Sequence, residues 1–462
     1  MIFALLYWAI TRQLWAVPAA VVAGIVLALL VRAYRQLTDQ WMRASTLAAI
    51  NRNGAARIRR DWPEIPEAAG SEFASTHPYA NDLDIAGHAS LLQLLDTTAT
   101  RMGGARLEAW LVDPAPVEEI DERQDAIREL SSDLEWLQEL QQETLLGEGD
   151  DAETDKFLAW ARGEQSAGPL PAATWLARLT NLLTIAILAL SIGGVIDSYA
   201  LTIPFAINLV LMFVYAGRMN PSIDAALTHG KAIRSYSETL RVLTSKPHQA
   251  ALLQHIDAPL NIEGVSAAEA TDRLAKILSW GVPTGSLGSY IVQAVTSWNI
   301  HFYDQLEKWR NTYGDDVPQW LDAIASYEAL GALANLAHDN PEWAYPQVDD
   351  DLDTVLATEL GHPLIAETRR VCNDVQVGPP GTFLFVTGSN MSGKSTLLRS
   401  IGINVVLANA GAPVCAGSMS LPPLSVWTSV RIVDSLESGV SYYMAELLRL
   451  KQIVEATHTV TP

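Results

Sequence analysis

From Leu179 to Gly217 the chain reads LTNLLTIAILALSIGGVIDSYALTIPFAINLVLMFVYAG, and Asp197 is its only charged residue. Each half has about 18 residues, enough for a helix rising about 1.5 Å per residue to nearly cross a hydrocarbon core of roughly 30 Å. Arg178 and Arg218 bracket the stretch, and Asp197 and Ser198 break it at its midpoint. These features predict a hairpin of two membrane helices with both basic ends on the cytoplasmic side. A buried soluble helix pair is the alternative, and so long and unbroken an apolar run argues against it.

A second apolar run, LWAVPAAVVAGIVLALLV, extends from Leu14 to Val31 without a charge. No basic segment precedes it and VRAYRQL follows it, so it reads as an uncleaved anchor rather than a signal peptide. Arg32, Arg35, Arg43, Arg52, Arg57, Arg59 and Arg60 follow the run, while only Arg12 precedes it. That bias predicts three spans, with residues from 32 onward cytoplasmic and the protein a multi-pass component of the inner (cytoplasmic) membrane.

Outside these runs, residues 83–160 and 219–345 carry apolar side chains at helical spacing. A proline, glycine and acidic cluster near residues 341–353 reads as a domain boundary. The net charge of −21 repels a polyanion, so tight non-specific DNA binding is not expected. Cys372 and Cys415, the only cysteines, lack metal-ligand spacing and read as core thiols in a reducing compartment.

One segment carries recognisable chemistry. Residues 382–400 read TFLFVTGSNMSGKSTLLRS: an apolar strand, then Gly388, Ser389, Asn390, Met391, Ser392, Gly393, Lys394, Ser395 and Thr396, then a helix beginning at the lysine. This is a Walker A pattern between strand and helix, the setting a phosphate-binding loop requires. Backbone N–H groups and the positive end of the helix dipole would face phosphate oxygens. Lys394 would reach the β- and γ-phosphates of ATP, the Ser395 hydroxyl would ligate Mg²⁺, and Thr396 is placed for the α-phosphate.

The wording TGSNMSGKST resembles the Walker A loop of the MutS family. Upstream, GHPLI at Gly361 to Ile365 is similar to that family's His-Pro element, and VDSLESGVSYYMAE at Val433 to Glu446 to its loop carrying a serine that reaches the partner subunit's nucleotide. Residues 90–130 resemble the start of the MutS core domain, and LDAIASYEALGALA from Leu321 its last helix before the ATPase. The resemblance implies that Ser441 is the serine acting in trans, that Val371 and Asn373 lie on the adenine side, and that the full-length protein is a homodimer. Arg370 departs from the pattern, standing where an aromatic base-stacking residue is expected.

The same resemblance implies an apolar strand ending in Asp-Glu after MAELLRLKQIVEA, which this sequence does not reach before Pro462. A C-terminal truncation is therefore expected, with nucleotide binding retained, hydrolysis not expected and no catalytic residue assigned; Glu446 belongs to the preceding helix and is no substitute. The expected fold is an incomplete α/β P-loop NTPase domain preceded by a mainly α-helical MutS-core-like domain and transmembrane helices. Its boundaries are an N-terminal anchor at 1–32, a basic juxtamembrane linker at 33–82, helical core-like parts at 83–178 and 218–350 flanking the hairpin at 179–217, and the P-loop domain at 351–462. The expected function is a membrane-tethered, MutS-like ATP-binding switch whose dimer closes on ATP and moves helical arms that continue into the hairpin. The alternative is a DNA mismatch repair or recombination factor binding DNA through the helical core, and no mismatch-reading domain or Phe-x-Glu wedge is present to favour it. A transporter subunit fits less well, because three spans are few and the loop follows MutS wording.

Overall fold

The computed structural model describes residues 16–68, 77, 79–147, 151–164, 166–228, 230–262, 264–281, 287–389, 392–430 and 442–459. The chain divides into two compact units, residues 1–52 and 53–462. In the first, the described residues lie in helix α1 (Ala16–Arg59), whose last turns belong to the second unit. Val22, Leu27 and Leu30 of this first unit are exposed.

The second unit begins with two arginines that the sequence grouped with the topogenic cluster. Both are buried: Arg57 donates to the Asp96 carbonyl at 2.6 Å and Arg60 to the Pro363 carbonyl at 2.8 Å. Their charges hold loops together rather than standing free beside a span.

Helices follow in short succession: α2 (Leu91–Leu95), α3 (Arg101–Val112), α4 (Val117–Ser131), α5 (Leu134–Leu146) and α6 (Asp151–Ala161). Ser90, Thr100 and Asp133 each accept a backbone N–H from the first turn of α2, α3 and α5, which is why these helices start where they do. The apolar hairpin is α7 (Pro171–Ile192) and α8 (Thr202–Thr228), with Leu182, Ile185, Val210 and Phe213 exposed along it. Together with the helix of the first unit, these are the three helices long and apolar enough to cross a membrane, by length and composition, among the described residues. Between the hairpin helices Thr180 donates to Asn208 at 2.6 Å, and both side chains are buried.

After the hairpin come α9 (Gly230–Leu243), α10 (Ala251–Asp257), a two-stranded antiparallel pair β1 (Asn261–Ile262) and β2 (Val265–Ser266), α11 (Ala267–Ser279), α12 (Leu287–Thr296), α13 (Trp298–Tyr313) and α14 (Val317–Asp339). The C-terminal part contains β3 (Gln347–Val348), β4 (Val355–Leu360), β5 (Asn373–Val377), α15 (Lys394–Asn409), β6 (Ser418–Leu421) and α16 (Tyr442–Thr459).

The four-stranded sheet has the order β3-β6-β4-β5, with β3 parallel to β6 and the other pairs antiparallel. In β4, Val355 and Ala357 face inward, and a register shift before Leu360, with Glu359 at φ 51°, restores the inward face for Leu360. The expected α/β P-loop domain calls for a strand leading into the loop, and this mixed sheet does not contain it. Residues 382–387, read as its leading strand, form no strand: Phe383 and Phe385 are 85% and 78% exposed. An apolar strand of a parallel sheet is stabilised only by neighbours on both sides, and no described strand lies beside this one.

Helix α14 is buried on every face from Ala323 to Ala334. Trp320, Ile324, Tyr327, Leu330 and Leu333 fill the core, and its alanines let α3 and α4 approach closely. Each polar residue on such a helix needs a partner. Tyr327 donates to Asp257 at 2.6 Å, Ser326 accepts from Arg106 at 2.9 Å, and Asn335 donates to Thr97 at 3.2 Å. Glu328 accepts the N–H groups of Ala99 at 2.7 Å and Thr100 at 3.1 Å and pairs with the Thr100 hydroxyl, so it serves the N-terminus of α3 from across the core.

Burial pushes the Glu328 carboxyl from 4.5 up to about 7, against the pull of its hydrogen bonds to Thr100 and Ala99. A raised pKa means that folding favours the protonated form. The Glu328 contribution is therefore complete below about 4.5 and is lost as pH rises to about 7. The loss is on the order of 3 kcal/mol by linkage. Glu328→Gln keeps an acceptor for both N–H groups and should flatten this part of the stability curve, raising the melting temperature at pH 8 relative to the parent chain. Glu328→Ala should lower it at every pH, by about 1–3 kcal/mol for the two orphaned donors. Thermal unfolding of detergent-solubilised protein from pH 5 to 8 measures both, and a parent and Glu328→Gln pair with parallel pH dependence would refute the assignment.

Candidate nucleotide site

Helix α15 starts at Lys394, the residue at which the sequence places it. Gly393 caps it in the left-handed region at φ 86°, a conformation that a side chain there would strain. Lys394 turns back on the loop and donates its ammonium to the carbonyls of Gly388, at 2.8 Å, and Ser389. Ser392 donates its backbone N–H to the Ser389 carbonyl at 3.3 Å, closing the turn. Ser395 and Thr396 are exposed in the first helical turn. Asn390, Met391 and Ser441 lie outside the described residues.

The loop is a cradle only if its helix is held still, and three sets of contacts hold α15. Asn404, fully buried at the middle of the helix, donates to the Gly361 carbonyl at 3.0 Å and accepts the Cys415 N–H at 2.7 Å. Gly361 in turn donates to the Cys415 carbonyl at 2.8 Å, so one amide pins α15 to the His-Pro element and to the segment before β6. At Gly402 the helix meets buried Leu83 so closely that an added Cβ would lie 2.8 Å from a Leu83 methyl. Beside it Arg399 donates to the Asp82 carbonyl at 3.0 Å, while the Asp82 carboxylate accepts from the Thr428 hydroxyl at 2.7 Å and the Val430 N–H at 3.0 Å. Arg449 of α16 completes the chain by donating to the Thr428 carbonyl at 2.9 Å.

Asn404, Asp82 and Leu83 were not singled out in the sequence. The one available signal was an asparagine inside the apolar run IGINVVLANA, since a polar residue on a buried helical face needs partners.

The residues expected on the adenine side are placed at an edge of the sheet. Val371 is exposed ahead of β5, and Asn373 is its first residue, paired with Leu360. Arg370, at the stacking position, lies over the Trp343 ring at 5.3 Å and donates to the Ile365 carbonyl at 2.9 Å. It is a brace for the His-Pro turn, with its planar face already used. Within that turn burial pulls the His362 imidazole down to about 4, so it is neutral at physiological pH. Burial pushes the Cys415 thiol up to about 11, keeping it protonated. Cys372, read as a core thiol, is exposed instead, because it lies in the short connection leading into the edge strand β5. Among the described residues no three or more His, Cys, Asp or Glu side chains are grouped to hold a metal ion.

Two regions of the chain match known protein families. Residues 75–155 match MutS domain III, and residues 384–461 match MutS domain V. The DNA mismatch repair protein MutS of Thermosynechococcus vestitus is 27% identical over 405 residues, 78% of this chain and 44% of that protein. MutS of Myxococcus xanthus is 26% identical over 409 residues, 79% of this chain and 45% of its own. A shorter match to MutS of Streptococcus equi reaches 31% over 155 residues, 32% of this chain and 17% of that relative. The chain thus spans less than half the length of the curated relatives it matches. In these two regions the chain is similar to MutS proteins.

Proposed function

We propose that this chain is the ATP-binding part of a MutS-like conformational switch tethered to a membrane. The observation that carries the nucleotide reading is the turn at Gly393 and Lys394: a left-handed glycine, a helix beginning at the lysine, and an ammonium held over the loop's own carbonyls. When ATP binds, it supplies a Mg²⁺-chelated triphosphate whose charge the loop must meet. Lys394 would exchange the Gly388 and Ser389 carbonyls for phosphate oxygens, the Ser395 hydroxyl would help hold the metal, and Thr396 would hold the α-phosphate. The first N–H groups of α15 and its dipole favour the same anion. Dimerisation through Ser441 and an adenine site at Val371 and Asn373 belong to this proposal, as does the P-loop NTPase character of residues 351–462.

The membrane reading rests on α7 and α8. Their exposed leucines, isoleucines, valines and phenylalanine form a surface that water would disfavour at roughly 25 cal/mol per Å². Arg178 and Arg218 at the foot of the hairpin support an ATP-binding part on the cytoplasmic face. The relatives' names include DNA mismatch repair, and a DNA role remains the second reading. The net charge of −21 gives it no electrostatic support.

Lys394→Ala is expected to abolish binding of Mg-ATP by the purified chain, by equilibrium dialysis, while leaving its melting temperature nearly unchanged because the side chain is partly exposed and bonds only to the loop. Binding that persists undiminished in this variant would overturn the nucleotide site. For topology, with Cys372 replaced by serine, Asp197→Cys at the hairpin tip should react with an impermeant maleimide only from the outer face of the membrane. Reaction only from the cytoplasmic face would overturn the hairpin.

A further inference from the structure

Helix α1 runs without a break from Ala16 to Arg59, and the apolar run inside it ends at Val31. Beyond that point, within the first unit, Tyr34, Leu37 and Trp41 are 71%, 66% and 70% exposed. With Leu27 and Leu30 before them and Ala44 and Ala48 after, they recur at alternating steps of three and four residues, a heptad pattern kept over three heptads. We infer that residues 27–48 form the seam of a parallel, two-stranded coiled coil between two copies of this chain. The parallel direction rests on the proposed membrane span, which points every copy the same way, whereas the seam itself rests on the exposed stripe.

Inside the apolar run, apolar residues occupy every side of the helix and no seam stands out. After Val31 one stripe remains. At 3.6 residues per turn, Tyr34, Leu37, Trp41, Ala44 and Ala48 fall within an arc of about 80°, while Arg32, Arg35, Asp39 and Arg43 lie on the opposite side. So narrow an arc suits a coiled-coil seam, since a helix packed on a larger core shows a broader apolar face. Hydrocarbon cannot cover this stripe, because the four charged side chains would have to enter with it.

Helix continuity and charge name the occupant. An amphipathic helix can also lie flat on a bilayer, but after a span that requires a sharp bend, and sharp bends need proline, glycine or a group inserted into the backbone ladder. From Val31 to Ala48 there is no proline or glycine, and the helix is unbroken. At about 1.5 Å per residue, Trp41 stands roughly 15 Å along the helix from Val31, beyond the acyl chains.

In a coiled coil the residues flanking the seam meet those of the partner, and like charges there drive identical helices apart. Here the flanking residues are Ala33, Thr38, Gln40, Ser45 and Leu47, all uncharged. The Thr38 and Ser45 hydroxyls already donate to the Tyr34 and Met42 carbonyls of their own helix, at 2.9 Å each. A second copy in register therefore sets apolar surface against apolar surface and no charge against its like. Tyr34 and Trp41 supply the large contact surfaces, and Ala44 and Ala48 let the backbones approach. Two ATP-binding parts joined in this way are together before nucleotide arrives, so their closing becomes an intramolecular step.

Disulfide trapping tests this in the full chain, with Cys372→Ser and Cys415→Ala, in the isolated membranes of the expressing cells, with copper phenanthroline as oxidant. Single cysteines are placed on the seam, at Leu30→Cys, Leu37→Cys and Ala44→Cys, and on the opposite side, at Arg32→Cys, Asp39→Cys and Arg43→Cys. The expected result is covalent dimer at all three seam positions, several-fold above every outer position, with or without Mg-ATP and also in the Lys394→Ala background. Seam trapping that disappears with Lys394→Ala would mean that only nucleotide brings the helices together, which overturns the coil. Equal trapping on both sides, with Asp197→Cys still labelled only from the outer face, would overturn the coil and leave the membrane reading standing. Trapping at one seam position alone would mean antiparallel helices, which overturns the parallel coil and the span that fixes its direction.

Discussion

Burial of α14 on all faces from Ala323 to Ala334 is the constraint from which the rest of the helical part follows. A helix surrounded by protein has no solvent face on which to leave a polar group, so Tyr327, Glu328, Ser326 and Asn335 must each be met by another element. Those partners lie far away in the chain: Asp257, the start of α3, Arg106 and Thr97. The polar residues of one helix thereby set the positions of α3, α10 and the turn after α2 around it. Apolar packing alone would hold the same helices with less discrimination among rotations about their axes.

The loop from Gly388 to Thr396 depends on a second device of the same kind. Asn404 joins α15 to Gly361 and Cys415, and Leu83 fits against Gly402 where no larger residue fits. Asp82 then ties the region matched by MutS domain III to the region matched by MutS domain V through Thr428 and Val430. These contacts are short and polar at the rim and apolar behind, so the loop sits on a helix whose position is determined by both regions together.

Much of this was legible in the sequence, and the limits have physical causes. The helix start at Lys394, the hairpin with its break near Asp197 and the helical character of residues 83–160 followed from local pattern, because capping, charge and periodicity act over a few residues. Residues 382–387 read as a strand because they are short and apolar, yet strand formation depends on neighbours that local pattern does not supply. Asp82 and Thr428 are 346 residues apart, and no spacing rule connects them. Arg57 and Arg60 looked like topogenic charges, since burial is invisible until the loops ending in Asp96 and Pro363 are in place.

A ligand shifts a protein only by the difference between its interactions in two states. In the proposed function the Lys394 ammonium has two carbonyl partners to give up, so phosphate must exceed them to move it. A phosphate oxygen adds to the bond the Coulombic attraction of an anion for the ammonium, which a neutral carbonyl lacks, and the exchange frees the Gly388 and Ser389 carbonyls. The loop must then adjust, and the easiest adjustment lies in its glycines, because α15 behind it is pinned at Asn404 and Gly402. Any larger response has to move α15 together with Asp82, Thr428 and, through Arg449, α16. The contacts that make the loop a rigid cradle are therefore the same contacts that would carry its occupancy to the helical part.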